Sequence, residues 1–88
     1  MRLLPALLLS ASVVYACSDE AYRCKNPSGS TSEDWEVTQT ICNNLETGTC
    51  YCWGAAEDYC DFVDGSSKIR DFQKQCESWG ENWYWTQC

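Results

Sequence analysis

Apolar residues recur along this chain at two spacings, and each spacing marks a different kind of element. Over residues 33–46, Trp35, Thr38, Ile41, Cys42 and Leu45 stand three or four apart, the repeat that gathers one face of a helix. Ser30 or Thr31 occupies the cap position. Glu33 or Asp34 follows three residues on, and these acids fall in the first turn, where the helix dipole favours them. Gly48 lies near the stop. Residues 67–79 repeat the pattern with Ile69, Phe72, Cys76 and Trp79. Ser66 or Ser67 is the cap, Gly80 is the stop, and Lys68, Arg70, Asp71, Lys74 and Glu77 lie off the stripe. Each predicted helix therefore carries one inward cysteine, Cys42 or Cys76.

Other stretches alternate with period two. Thr49-Cys50-Tyr51-Cys52-Trp53 reads as a strand ended by Gly54. Residues 59–63 form a second extended piece closed by the turn pair Asp64-Gly65. In the tail, Tyr84, Thr86 and Cys88 share one face and Trp83 and Trp85 the other. Residues 25–32 hold turn formers and no apolar residue, so they read as a loop; Asn26 precedes Pro27 and is no glycosylation acceptor. The expected fold is small, disulfide-rich α+β: two short helices packed on a two- or three-stranded antiparallel ribbon, with four disulfides. An all-helical disulfide bundle is the alternative.

The start of the chain follows neither period. Met1-Arg2 is a positive start, residues 3–9 are apolar apart from Pro5, and Val14 and Ala16 occupy the −3 and −1 positions of a small-residue cleavage site. That is the layout of a secretory signal peptide, and its apolar run is short of the roughly 20 residues of a spanning helix. Residues 1–16 are expected to be removed, leaving residues 17–88 as one secreted, extracellular, disulfide-rich domain with no membrane anchor.

Cysteine usage agrees with export. All eight cysteines, Cys17, Cys24, Cys42, Cys50, Cys52, Cys60, Cys76 and Cys88, lie after the cleavage site in a chain of 88 residues. An even count in an oxidising compartment implies four disulfides. The pairing stays open among on the order of a hundred possibilities. Cys50 and Cys52 flank one residue, so a bond between them is strained. They send bonds to separate parts of the fold and make residues 50–52 a hub.

Composition limits the chemistry. The chain contains no histidine to serve as base or metal ligand, and oxidised cysteines supply neither nucleophile nor zinc ligand. The acidic set Glu57, Asp58, Asp61 and Asp64 lacks the alternating ligand spacing of a calcium loop. The expectation is no enzyme, no cofactor and no metal. After cleavage, five Lys/Arg stand against thirteen Asp/Glu, a formal charge of −8. That balance argues against nucleic acid and against a cationic membrane-lytic peptide. A basic partner, or none that depends on charge, fits better.

The remaining candidate feature is aromatic. Trp79, Trp83, Tyr84 and Trp85 lie within seven residues, and Trp53 sits on the predicted strand. If Trp83 and Trp85 face outward together they form a flat platform of the kind that stacks on sugars or anchors protein interfaces. The opposite arrangement packs them inward on a thin core. Trp83, Trp85, Trp53 and Trp79 are the candidate binding residues.

With its Ala16-Cys17 junction, short length, even cysteine count, Cys50-Tyr51-Cys52 element and lack of any enzyme motif, the chain resembles the small secreted cysteine-rich proteins of filamentous fungi, a class that includes effectors delivered to plant or insect hosts. A fungal haem-binding extracellular family also carries eight cysteines with a Cys-x-Cys, and this chain departs from its other spacings between Cys42 and Cys76. Acidic ciliate mating pheromones are similar in composition but are usually made with a pro-segment, which cleavage after Ala16 excludes. The effector resemblance implies a monomeric, non-enzymatic protein that recognises an extracellular host protein or glycan. A diffusible pheromone acting on a receptor, or a small enzyme inhibitor or toxin, are the alternatives.

Overall fold

The computed structural model describes residues 15–52 and 58–88. Apart from Tyr15 and Ala16, the expected signal peptide lies outside these residues. Six elements follow in chain order: β1 (Ala21–Lys25), α1 (Thr31–Asn44), β2 (Thr49–Tyr51), β3 (Asp58–Asp61), α2 (Lys68–Glu77) and β4 (Tyr84–Gln87). The strands form one antiparallel sheet in the order β2-β3-β1-β4. This is a small disulfide-rich α+β fold with one strand more than the expected ribbon.

The additional strand is β1, an interior strand with the unpromising sequence Ala-Tyr-Arg-Cys-Lys. It pairs with β4 from Tyr22 through Lys25 but with β3 only at Ala21 and Tyr22. Where β3 departs, α1 takes over the vacated edge. Thr38 Oγ1 accepts the Cys24 N–H at 2.9 Å and Asp34 Oδ1 accepts the Asn26 N–H at 2.7 Å. Buried backbone donors need such partners, so the helix completes the strand.

α1 begins as its sequence predicts, with the Ser30 hydroxyl accepting the Glu33 N–H at 3.4 Å. It ends differently. Thr47 N–H reaches Cys42 O at 3.2 Å and Glu46 N–H reaches Asn43 O at 3.0 Å, with Glu46 at φ 57°. These are the two bonds of a Schellman cap, with glutamate rather than Gly48 in the left-handed position. The buried face is also rotated from the expected stripe: it holds Asp34, Val37, Thr38, Ile41 and Cys42, while Trp35 is half-buried. The Asp34 carboxylate is drawn inward because Arg23 and Lys25 of β1 each approach it at 3.2 Å.

In α2 the positional cap, Ser67, makes no side-chain bond, and Ser66 Oγ instead accepts the Lys68 N–H at 3.1 Å. Phe72 and Cys76 are fully buried. The helix stops at Glu77, so Trp79 leaves the stripe. The turn before α2 closes through Ser66 N–H to Val63 O at 2.9 Å, with Gly65 at φ 78°, a conformation glycine adopts without strain.

Both helices contribute to a single core. Ile41 and Val37 of α1 meet Phe72 of α2 and Tyr22 of β1 around Phe62. Phe62 meets Phe72 edge-on at 5.5 Å, and Trp85 meets Tyr22 edge-on at 5.5 Å. Four disulfides pair all eight cysteines: Cys17–Cys50, Cys24–Cys76, Cys42–Cys60 and Cys52–Cys88. The inward helix cysteines bond to strands, not to each other. The 50–52 hub sends one bond to each end of the domain. Among the described residues no helix is long and apolar enough to cross a membrane.

Candidate functional site

A groove of about 450 Å³ runs along α1, opposite the turn that joins α2 to β4. Its α1 wall is a helical stripe, Glu33, Glu36, Val37 and Thr40, at the three-four spacing of one face. Its other wall is Trp79 and Trp83. Trp79 is 48% exposed, a large value for an indole. Trp83 is half-buried and rests against the core.

The turn that sets these two indoles is tightly specified. Trp79 lies three residues after Cys76, which is bonded to Cys24 in the core. Trp83 N–H bonds back to Gly80 O at 3.3 Å, with Asn82 at φ 67°. The Trp83 ring then lies directly on Gly80. A Cβ at that position would stand 2.8 Å from Trp83 Cδ1 and 3.0 Å from Nε1. Gly80→Ala must therefore displace Trp83. The expected result is a red shift of tryptophan emission and a stability loss of about 1–3 kcal/mol, the usual cost of overpacking. Unchanged emission and unchanged stability would show that Trp83 does not sit on Gly80.

The three candidate tryptophans among the described residues, Trp79, Trp83 and Trp85, do not form one surface. Trp83 and Trp85 both pack against the core rather than forming a shared outward platform, and it is Tyr84 between them that is exposed. The phase of β4 decides this: Trp85 lies opposite the buried Cys24. The two indoles also line separate grooves. Trp85 stands beside Arg70, Gln73, Lys74 and Glu77, and its Nε1–H donates to Glu77 Oε2 at 2.9 Å. Trp79 and Trp83 are brought together. Trp53 lies outside the described residues.

Sequence reasoning missed Glu33 and Glu36 as site residues. Glu33 read as half of a capping box, whose glutamate normally returns to the cap N–H. Here the Ser30 N–H is met by Asn26 Oδ1 at 3.4 Å and Ser28 Oγ at 3.3 Å. The 33-36-37-40 stripe was the available signal.

Of the acidic set after β2, Asp61 and Asp64 have side chains among the described residues. Glu57 and the Asp58 side chain lie outside the described residues. Asp61 Oδ1 accepts from Ser18 N–H at 3.1 Å and from its hydroxyl at 2.6 Å. Among the described residues no group of three or more potential ligands is placed to hold a metal ion. Comparison of the chain with protein-family models, with curated proteins and with solved structures finds no match.

Proposed function

We propose that this is a secreted, non-enzymatic binding protein, of the effector type it resembles, which recognises an extracellular host protein or glycan through the Trp79–Trp83 groove. The observation that carries this reading is the exposure of Trp79 beside Trp83 on a disulfide-fixed turn. Tryptophan is over-represented among residues that dominate binding energy. Fixing it in advance reduces the ordering cost of association. The chain holds no histidine and every cysteine is in a disulfide, so neither an imidazole base nor a thiolate nucleophile is on offer.

Secretion rests on the residue 1–16 pattern and on the four disulfides. Removal of residues 1–16 would take away Tyr15 O, which accepts the Tyr51 N–H at 2.9 Å. The new terminus would stay fixed by the Cys17–Cys50 bond and by Cys17 N–H on Tyr51 O at 2.9 Å.

One experiment tests the proposal. Protein recovered from the culture medium of an expressing cell is expected to begin at Cys17. Immobilised in oxidised form, it should retain a specific component of extracellular host material. Trp79→Ala, which removes an exposed side chain and leaves the core intact, should reduce that retention about tenfold or more, the scale of a hot-spot residue. Retention that is the same for both proteins would remove the groove from the function.

A further inference from the structure

We infer that the ligand of the groove is a lysine or arginine side chain on a basic segment of a partner protein, held between the Trp79 and Trp83 indoles and the Glu33 and Glu36 carboxylates. The inference rests on the binding role proposed above and names its chemistry. Two kinds of group face each other across the groove. One wall offers two indoles, ring systems whose quadrupole attracts cations, best of all at tryptophan. The other offers two carboxylates one helical turn apart, suited to the forked donors of a guanidinium or to an ammonium.

Neither carboxylate is committed elsewhere. The capping bond that would occupy Glu33 is made by Asn26 and Ser28. The bond recorded at Glu36 uses its backbone carbonyl, which accepts from Thr40 Oγ1 at 2.8 Å. Among the described residues no cation pairs with either side chain. The nearest basic residues in the chain, Arg23 and Lys25, are already paired with Asp34. The net charge of −7 makes the surrounding field attractive to a cation as well. A neutral sugar could donate hydroxyl hydrogen bonds to these carboxylates, but it would gain no Coulomb attraction from their charge, which favours a cation.

The full oxidised chain is titrated with octa-arginine, with octa-glutamate and with a chitin hexamer, following tryptophan emission at low and physiological salt. Octa-arginine is expected to saturate and quench the emission, more weakly as salt rises; the other two are expected to have no effect. Glu33→Gln/Glu36→Gln should weaken octa-arginine about tenfold or more, and Trp79→Ala by a similar factor. Glu46→Gln/Asp71→Asn removes the same charge from exposed positions outside the groove and should cost less than about threefold.

Equal losses in the two charge-removed pairs would reduce the effect to general attraction and overturn the inference. Saturable binding of the chitin hexamer that Trp79→Ala abolishes would overturn it in favour of a glycan while keeping the groove as the binding site. No effect of Trp79→Ala on any probe would overturn both the inference and the binding reading. Self-association lost equally in Glu33→Gln/Glu36→Gln and in Arg70→Gln/Lys74→Gln would assign the groove to a second copy and overturn the external partner.

Discussion

Asp34→Ala is expected to destabilise the oxidised protein by about 3–5 kcal/mol, because it removes the one buried acceptor that several donors share. Asp34 is fully buried and the Arg23 side chain is 3% exposed. One carboxylate serves four donors: Arg23 at 3.2 Å, Lys25 at 3.2 Å, and the Asn26 backbone and side-chain amides at 2.7 and 2.6 Å. Alanine replaces none of these bonds. Asp34→Asn keeps an acceptor for Asn26 and loses the charge, so a smaller loss of about 1.5–3 kcal/mol is expected. Asp71→Ala, at an exposed carboxylate, should stay within about 0.5 kcal/mol. Urea unfolding checks the order, with the midpoint moving and the slope unchanged. A loss below about 1 kcal/mol for Asp34→Ala would mean that the Asn26 amides and the Lys25 ammonium find water in place of this carboxylate.

The same carboxylate shows where the fold could be read from the sequence and where it could not. Helix existence was legible, because Ile41, Cys42, Phe72 and Cys76 repeat at helical spacing and all are fully buried. So was the Cys50–Cys52 hub, since bonding that pair together is geometrically strained. The phase of α1 was not legible. Placing an aspartate inward makes sense only once Arg23 is known to lie opposite, and that contact spans eleven residues. For the same reason β1 was missed: two of its five residues are cationic, and nothing local reveals that Asp34 neutralises them. The Glu46 cap was hidden because its left-handed geometry is imposed by the chain returning to β2, against the preference for glycine.

The candidate site divides along the same line. Trp79 and Trp83 were legible as an aromatic cluster, since their proximity is local. Their separation from Trp85 was not. It depends on the register of β4 against β1 and on the turn at Asn82. Glu33 and Glu36 had a local explanation at the helix start, and only the position of the 80–83 turn gives them a second one.

Replacing Cys24 and Cys76 together by alanine should cost about 4–5 kcal/mol, more than removing Cys52–Cys88, and the reason lies in how the bridges connect. Taken alone, a bond across 52 residues would restrict the unfolded chain only slightly more than one across 36, by about 0.3 kcal/mol. The bridges are not alone. Cys17–Cys50, Cys52–Cys88 and Cys24–Cys76 close a covalent ring through the short segments 17–24, 50–52 and 76–88. Breaking any one of the three leaves its cysteines joined by the other two through about 20 chain residues, so each contributes about 3 kcal/mol of loop-closure entropy. The unfolded state therefore does not distinguish them, and the native state must. Cys24 and Cys76 are fully buried between β1 and α2, so deleting both sulfurs leaves a cavity worth roughly 1–2 kcal/mol more. Cys88 is exposed at the chain end, where solvent fills the gap. Denaturation of the two double variants, each with its three remaining bridges verified by mass, should place Cys24→Ala/Cys76→Ala lower in stability. The reverse order would mean that the core closes over the missing sulfurs of Cys24 and Cys76, so that no cavity cost remains. If the ring governs, the hub at Cys50 and Cys52 acts by joining two bridges across a single residue, which makes three long loops behave as one short one.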